Sequence, residues 1–147
     1  MKNGNFSFFF FAGCCSGQVM LGDSRDVIEG ETLRLPCRFH SALASSTTQY
    51  FWSRDNKNGK DNAAINAASL DPNYNIDFSP QEGKYDLLIS KANYDRDNGK
   101  FECWLKEGGS GVDIYSVSYV VTVLSEYLFL SLVIHEFFDF VQLSKAQ

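Results

Sequence analysis

From Asp26 onward the apolar positions of this chain recur every second residue, the period of a strand with one face in a core and the other in water. In residues 32–39, Leu33, Leu35, Cys37 and Phe39 alternate with Arg34, Pro36 and Arg38, which predicts a strand. Glu29-Gly30 ahead of it is turn chemistry closing a short strand over residues 25–28. Pro36 carries no N–H, so the strand is expected to be unpaired there or to lie towards an edge.

The same alternation continues down the chain. Residues 48–54 read as a strand with Tyr50 and Trp52 on one face and Phe51 and Ser53 on the other. A polar turn over residues 55–61, with Asn58-Gly59 inside it, separates that strand from a short return strand over 63–67. A strand over 73–78, bounded by Pro72 and Pro80, comes next. Residues 84–90 set Tyr85, Leu87 and Ile89 against Asp86, Leu88 and Ser90. After a polar corner at 95–99, residues 100–106 alternate Phe101, Cys103 and Leu105 with Glu102, Trp104 and Lys106. The Gly-rich turn at 108–111 then leads into a last strand over 113–124, with Val117, Tyr119, Val121 and Val123 on one face. Seven to nine short strands with turn signals between them and no convincing helix predict an all-β, two-layer antiparallel sandwich.

Composition narrows the function. With 147 residues, 44% of them apolar, one domain with its own core is expected. Thirteen basic against 18 acidic residues give a net charge of −5, which disfavours phosphate-driven binding of nucleic acid and attraction to anionic membranes. Residues 1–17 have the pattern of a secretory signal peptide: Lys2, an apolar stretch through residues 6–15, then Ser16-Gly17 before polar Gln18. The alternative is an ordinary apolar N-terminal strand or a start-site artefact. Cleavage near Gly17 would remove Cys14 and Cys15 and leave Cys37 and Cys103, which in an exported chain are most simply one disulfide. Closing about 66 residues in this way would stabilise the fold by about 4 kcal/mol in the chain-entropy model. A zinc pair is the other use of two cysteines. Zinc needs three or four ligands, and His40 and His135 stand in no ligand spacing, so no metal or cofactor is expected.

Cys37, Trp52 and Cys103, with Asp97-x-Gly99-x-Phe101-x-Cys103 at the end, resemble an immunoglobulin domain over about residues 20–124. The resemblance implies a Greek-key sandwich whose two sheets are joined by the bridge, with the indole of Trp52 packed against it and Leu35, Leu87, Ile89 and Phe101 in the core. The 29 residues between Arg54 and Lys84 leave room for added C′ and D strands, as in variable or intermediate domains. One departure concerns the corner before Cys103. The family usually has a tyrosine two residues before this cysteine, tied by its hydroxyl to upstream backbone; Phe101 has none, a loss of about 0.5–1.5 kcal/mol. Within the superfamily, residues 83–89 and 96–103 resemble the first domain of insect cell-adhesion receptors of the echinoid type. That resemblance implies a cell-surface molecule whose complete form carries further modules and a membrane anchor outside this chain.

The domain is therefore expected over residues 18–124, with an apolar tail over 125–147. Residues 127–134 are an apolar octet too short to cross a bilayer, and Glu136 and Asp139 interrupt any extension. One reading is an amphipathic helix that docks on the sandwich or on a partner, since Leu130, Ile134, Phe137, Phe138 and Val141 fall near one helical face. The preferred reading is a truncated or mis-joined chain, because such a patch on a lone domain invites aggregation.

Catalytic chemistry has poor candidates. His40 and His135 sit in no nucleophile elbow, the glycines at 108–111 precede no phosphate-binding helix, and Asp95 and Asp97 flank Arg96 where capping and ion pairing suffice. No enzyme is expected. Binding is better supported: with Trp52 and Cys103 inward, Phe51 and Trp104 point outward on strands C and F of one sheet. Ile65 on C′ extends the patch, with Lys106 and Glu107 at its rim. Asn-x-Ser/Thr occurs only at Asn5, inside the expected leader, so no N-linked glycan shields this face. The expected partner is an extracellular protein, through the C-F-G-C′ face, homophilic or heterophilic. A soluble, secreted immune-type or decoy binder is the alternative.

Overall fold

The period-two pattern closes into two sheets in the computed structural model, which describes residues 22–146. The expected leader, with Cys14 and Cys15, lies outside the described residues. The strands are β1 (Asp23–Ile28), β2 (Leu33–Leu35), β3 (Gln49–Asn56), β4 (Gly59–Ile65), β5 (Ala68–Ser69), β6 (Tyr74–Ser79), β7 (Lys84–Ile89), β8 (Gly99–Lys106) and β9 (Asp113–Leu124). One sheet runs β1-β9-β8-β3-β4-β5 and the other β2-β7-β6. All pairings are antiparallel except that of β1 along β9.

The facing sides of the sheets form the core. Leu35, Leu87 and Ile89 come from the smaller sheet, and Trp52, Phe101, Leu105 and Val121 from the larger; all are fully or almost fully buried. Cys37, just past β2, is bonded to Cys103 on β8 and joins the two layers. Trp52 lies against Tyr119 with ring centroids 6.2 Å apart, and its indole N–H donates to the Tyr85 carbonyl at 2.9 Å. This hydrogen bond matters because a buried indole N–H without a partner would cost about 1–3 kcal/mol.

The single strand expected over 32–39 is cut short. β2 ends at Leu35, because Pro36 cannot donate to the ladder, and backbone pairing resumes only as an isolated bridge between Arg38 and Lys84. β2 is also an edge strand. Beyond the proline, the Cys37 N–H donates to the Asp86 carboxylate at 3.1 Å. Asp86, expected on the solvent face of β7, is thus fully buried, capped from outside by Arg34 at 2.8 Å and Arg38 at 2.6 Å.

The return strand expected over 63–67 starts earlier, at Gly59, and ends at Ile65. A bulge at Trp52/Ser53 against β4 leaves Ala63 unpaired in the register, and both Ala63 and Ala64 are buried. The corner expected at 95–99 contains one helical turn, α1 (Tyr94–Asp97), capped by the Asn93 side chain accepting from the Asp95 and Arg96 N–H groups. Gly99 then adopts φ 154°, and a Cβ there would collide with the Asp55 carbonyl of β3, so the turn into β8 requires glycine.

The tail is helical: α2 spans Glu126–Lys145. Leu130, Ile134, Phe137 and Phe138 are each more than half exposed.

Candidate protein interface

The pairing register puts the three expected anchors in a line. Phe51 of β3 lies opposite Trp104 of β8 on one side and Ile65 of β4 on the other, and Trp104 in turn lies opposite Ser116 of β9. Since Tyr50 and Trp52 point into the core, Phe51 points away from it, and the same alternation turns Trp104 outward beside Cys103 and Leu105. Phe51, Trp104 and Ile65 are all partly exposed rather than fully so. Residues directly opposite in antiparallel strands have Cβ atoms about 4.5–5.5 Å apart, so the row Ile65, Phe51, Trp104 is one apolar strip across three strands.

Charge borders the strip on both sides. Towards one end Lys106 pairs with Asp113 at 2.6 Å, its ammonium 5.9 Å from the centre of the Trp104 ring. Beyond it Glu107 accepts from the Ser110 hydroxyl at 2.7 Å within the β8–β9 loop. Towards the other end Glu102 takes Lys100 at 2.6 Å and Lys60, from β4, at 3.2 Å. Burial pushes the Glu102 carboxyl up, but the hydrogen bonds from Lys100 and Lys60 outweigh it and hold the group below its ordinary value. The face therefore carries an apolar centre between two mixed-charge borders.

The Glu102 cluster was not singled out from the sequence, although period two placed Glu102 on the same side as Trp104. What was hidden is Lys60, 42 residues away and brought alongside by β4. A second hidden cluster lies at the corner before β8. Asp97 is fully buried and accepts from Arg96 Nη2 at 2.6 Å, the Asn93 N–H at 2.8 Å and the Tyr74 hydroxyl at 2.5 Å. Tyr74 also meets Phe101 edge-on, with ring centroids 6.2 Å apart. The corner expected to lack a tyrosine hydroxyl thus receives one from β6, and burial followed by the Asp97 contact pushes that hydroxyl's pKa well up. Tyr74 further accepts from Arg54, which also holds Asp61. The group is a satisfied structural network.

The histidines stand apart from one another. His40 caps a 3₁₀ turn, its Nδ1 accepting from the Ala42 N–H at 3.1 Å, and His135 is exposed on α2. Among the described residues no group of three or more His, Cys, Asp or Glu side chains is placed to hold a metal ion. Asp95 is exposed and paired with Lys57, on the opposite side of α1 from buried Asp97.

Comparison with solved structures identifies the architecture. The chain matches a voltage-gated sodium-channel β subunit studied for multimeric cell-adhesive interactions, with a TM-score of 0.57 and 18% identity over 74% of this chain and 98% of that one. The fold is immunoglobulin-like. The natural cytotoxicity receptor NKp44 aligns with a TM-score of 0.59 and 13% identity, over 70% of this chain and 98% of that one. The extracellular domain of the sodium-channel β4 subunit, described as a parallel homodimer with a role in cell–cell adhesion, aligns at 0.53 and 19%, over 76% and 99%. No family model and no curated protein sequence matches the chain. In the immunoglobulin frame β3, β4, β8 and β9 are strands C, C′, F and G, so the apolar strip lies on the C-F-G-C′ face.

Proposed function

We propose that this chain is an extracellular protein-recognition module, acting in cell adhesion as part of a surface receptor of the echinoid-like kind, and that it binds through the face of β3, β4, β8 and β9. The observation that carries the reading is the row Ile65, Phe51, Trp104, aligned across three strands and turned away from the core. Aromatic side chains with an apolar neighbour and a charged surround have the composition of an interface centre and its rim. Both signs of charge occur at the borders, Lys60, Lys100 and Lys106 against Glu102 and Asp113, which suits a two-fold face-to-face pairing with a second copy. The reading is therefore homophilic. No catalytic role is assigned, and no cofactor is needed for it.

The test is clustering of beads, or of suspended cells, that display the chain. Phe51→Ser with Trp104→Ser is expected to abolish clustering while the Cys37–Cys103 bond and the β circular-dichroism signature persist. Truncating two interface anchors of this type costs about 2 kcal/mol or more each, enough to lower affinity at least about 100-fold. Undiminished clustering by the folded double variant would overturn the assignment of the face.

A further inference from the structure

In an Asn-Gly pair the glycine amide nitrogen can attack the asparagine side-chain carbonyl carbon and close a five-membered ring, with no Cβ on the second residue to obstruct it. Two such pairs fall among the described residues, Asn58-Gly59 and Asn98-Gly99. Without a fold they would behave alike, since each is also followed by a lysine. The fold separates them.

Asn58 is the second residue of the two-residue turn between β3 and β4, and both it and Gly59 are exposed. Gly59 begins β4 and pairs with Asn56 on one side only, because β5 joins β4 further along, at Ala64 and Ile65. Its φ is 115°, and a Cβ built on it would meet nothing within 4 Å, so the turn stands in open space. The Asn58 amide donates to the Asp95 carbonyl at 3.3 Å, an exposed contact at the long end of hydrogen-bonding distance. Exposed hairpin ends of this kind open locally at little cost.

Asn98 is held differently. It is half-buried, and its Oδ1 accepts from the Val123 N–H of β9 at 3.0 Å. Gly99 lies between two strands, paired with Asn56 of β3 and Val121 of β9, and packed so closely that a Cβ would come within 2.3 Å of the Asp55 carbonyl oxygen. Ring closure there would require Asn98 to release β9 and Gly99 to leave both ladders, next to fully buried Asp97 and Phe101.

We propose that Asn58 is a site of spontaneous covalent modification in the folded chain and that Asn98 is protected. The Gly59 amide gives its proton to solvent hydroxide, its nitrogen bonds to Asn58 Cγ, and the Cγ–Nδ2 bond breaks with ammonia leaving. Water then opens the cyclic imide at either carbonyl, giving an aspartate or, where the backbone now runs through the side chain, an isoaspartate. No oxidant or reductant takes part. The product has no amide to donate to the Asp95 carbonyl, and its new carboxylate stands near Asp95, which already takes Lys57. Isoaspartate also adds one methylene to the backbone of a two-residue turn, so the hairpin end is released from α1. None of this depends on the sheet face assigned above.

The full chain, held in warm, mildly alkaline buffer and sampled over time by peptide mapping with mass spectrometry, tests the proposal. The Asn58 peptide is expected to gain the mass difference between an amide and an acid, in aspartate and isoaspartate forms, at least about 10-fold faster than the Asn98 peptide. With the disulfide reduced and the chain unfolded in urea, the two peptides should convert at comparable rates. Asn58→Gln keeps an amide but needs a larger ring, and should remove most of the acidic form that ion exchange resolves from the folded chain. Equal rates at the two sites in the folded chain, a gap that persists in urea, or an acidic form undiminished by Asn58→Gln would each overturn the proposal.

Discussion

Two fully buried carboxylates shape the fine structure of this domain, and each accepts from a backbone N–H. Asp86 accepts the Cys37 N–H left over where Pro36 breaks the strand, and Arg34 and Arg38 roof the carboxylate against water. Asp97 organises the corner before β8 and draws the Tyr74 hydroxyl to it. Tyr74→Phe keeps the ring against Phe101 but removes that donor, and is expected to cost about 1–3 kcal/mol in urea unfolding. A variant as stable as the parent chain would show that the hydroxyl does not replace the missing corner tyrosine. Glu102 gives a pH signature. Because its folded carboxyl is held below the ordinary 4.5, it adds stability above that pH and loses it as pH falls through the folded value. Lys60→Met with Lys100→Met removes both cations and leaves burial, which pushes the group up. The Glu102 contribution should then change sign, by under about 1 kcal/mol, measurable as urea midpoints between about pH 3 and 6.

At the level of strands and helices, period two was enough to locate β3, β7, β8 and β9 nearly to the residue, because each has one face in the core. It also put Phe51 and Trp104 on the outer face, and the register aligns them with Ile65. The pattern failed where long-range partners overrule it. Asp86 follows the polar phase of β7 yet is buried, since arginines from the β2 segment cover it, and no local spacing encodes that. β4 was read too short because Gly59, Lys60 and Asp61 look like turn residues; they are strand because β3 is there to pair with them. β5, two residues long, has no hydrophobic period to detect. The tail's helical spacing was visible, but whether that helix would find a face on the sandwich depends on tertiary geometry, and Leu130, Ile134, Phe137 and Phe138 are exposed.

For the whole molecule, the bridge between Cys37 and Cys103 ties a sheet edge to the centre of the opposite sheet, across a sequence separation of 66 residues. Its loss through Cys37→Ala with Cys103→Ala is expected to lower stability by about 2–5 kcal/mol, read from denaturant midpoints. An unchanged midpoint would mean that packing around Trp52 holds the layers alone. The two sheets differ on their outer sides: β2, β6 and β7 present a single partly exposed apolar side chain, Leu88, beside Asn75 and the Arg34–Asp77 pair, whereas β3, β4 and β8 present the apolar row. That asymmetry is the basis of the functional reading, and comparing the two sides tests it most directly. Chains carrying Phe51→Ser with Trp104→Ser, or Asn75→Arg on the opposite sheet, should be displayed at equal density and scored for clustering. The account predicts loss in the first and parental clustering in the second; loss in the second with full clustering in the first would contradict it.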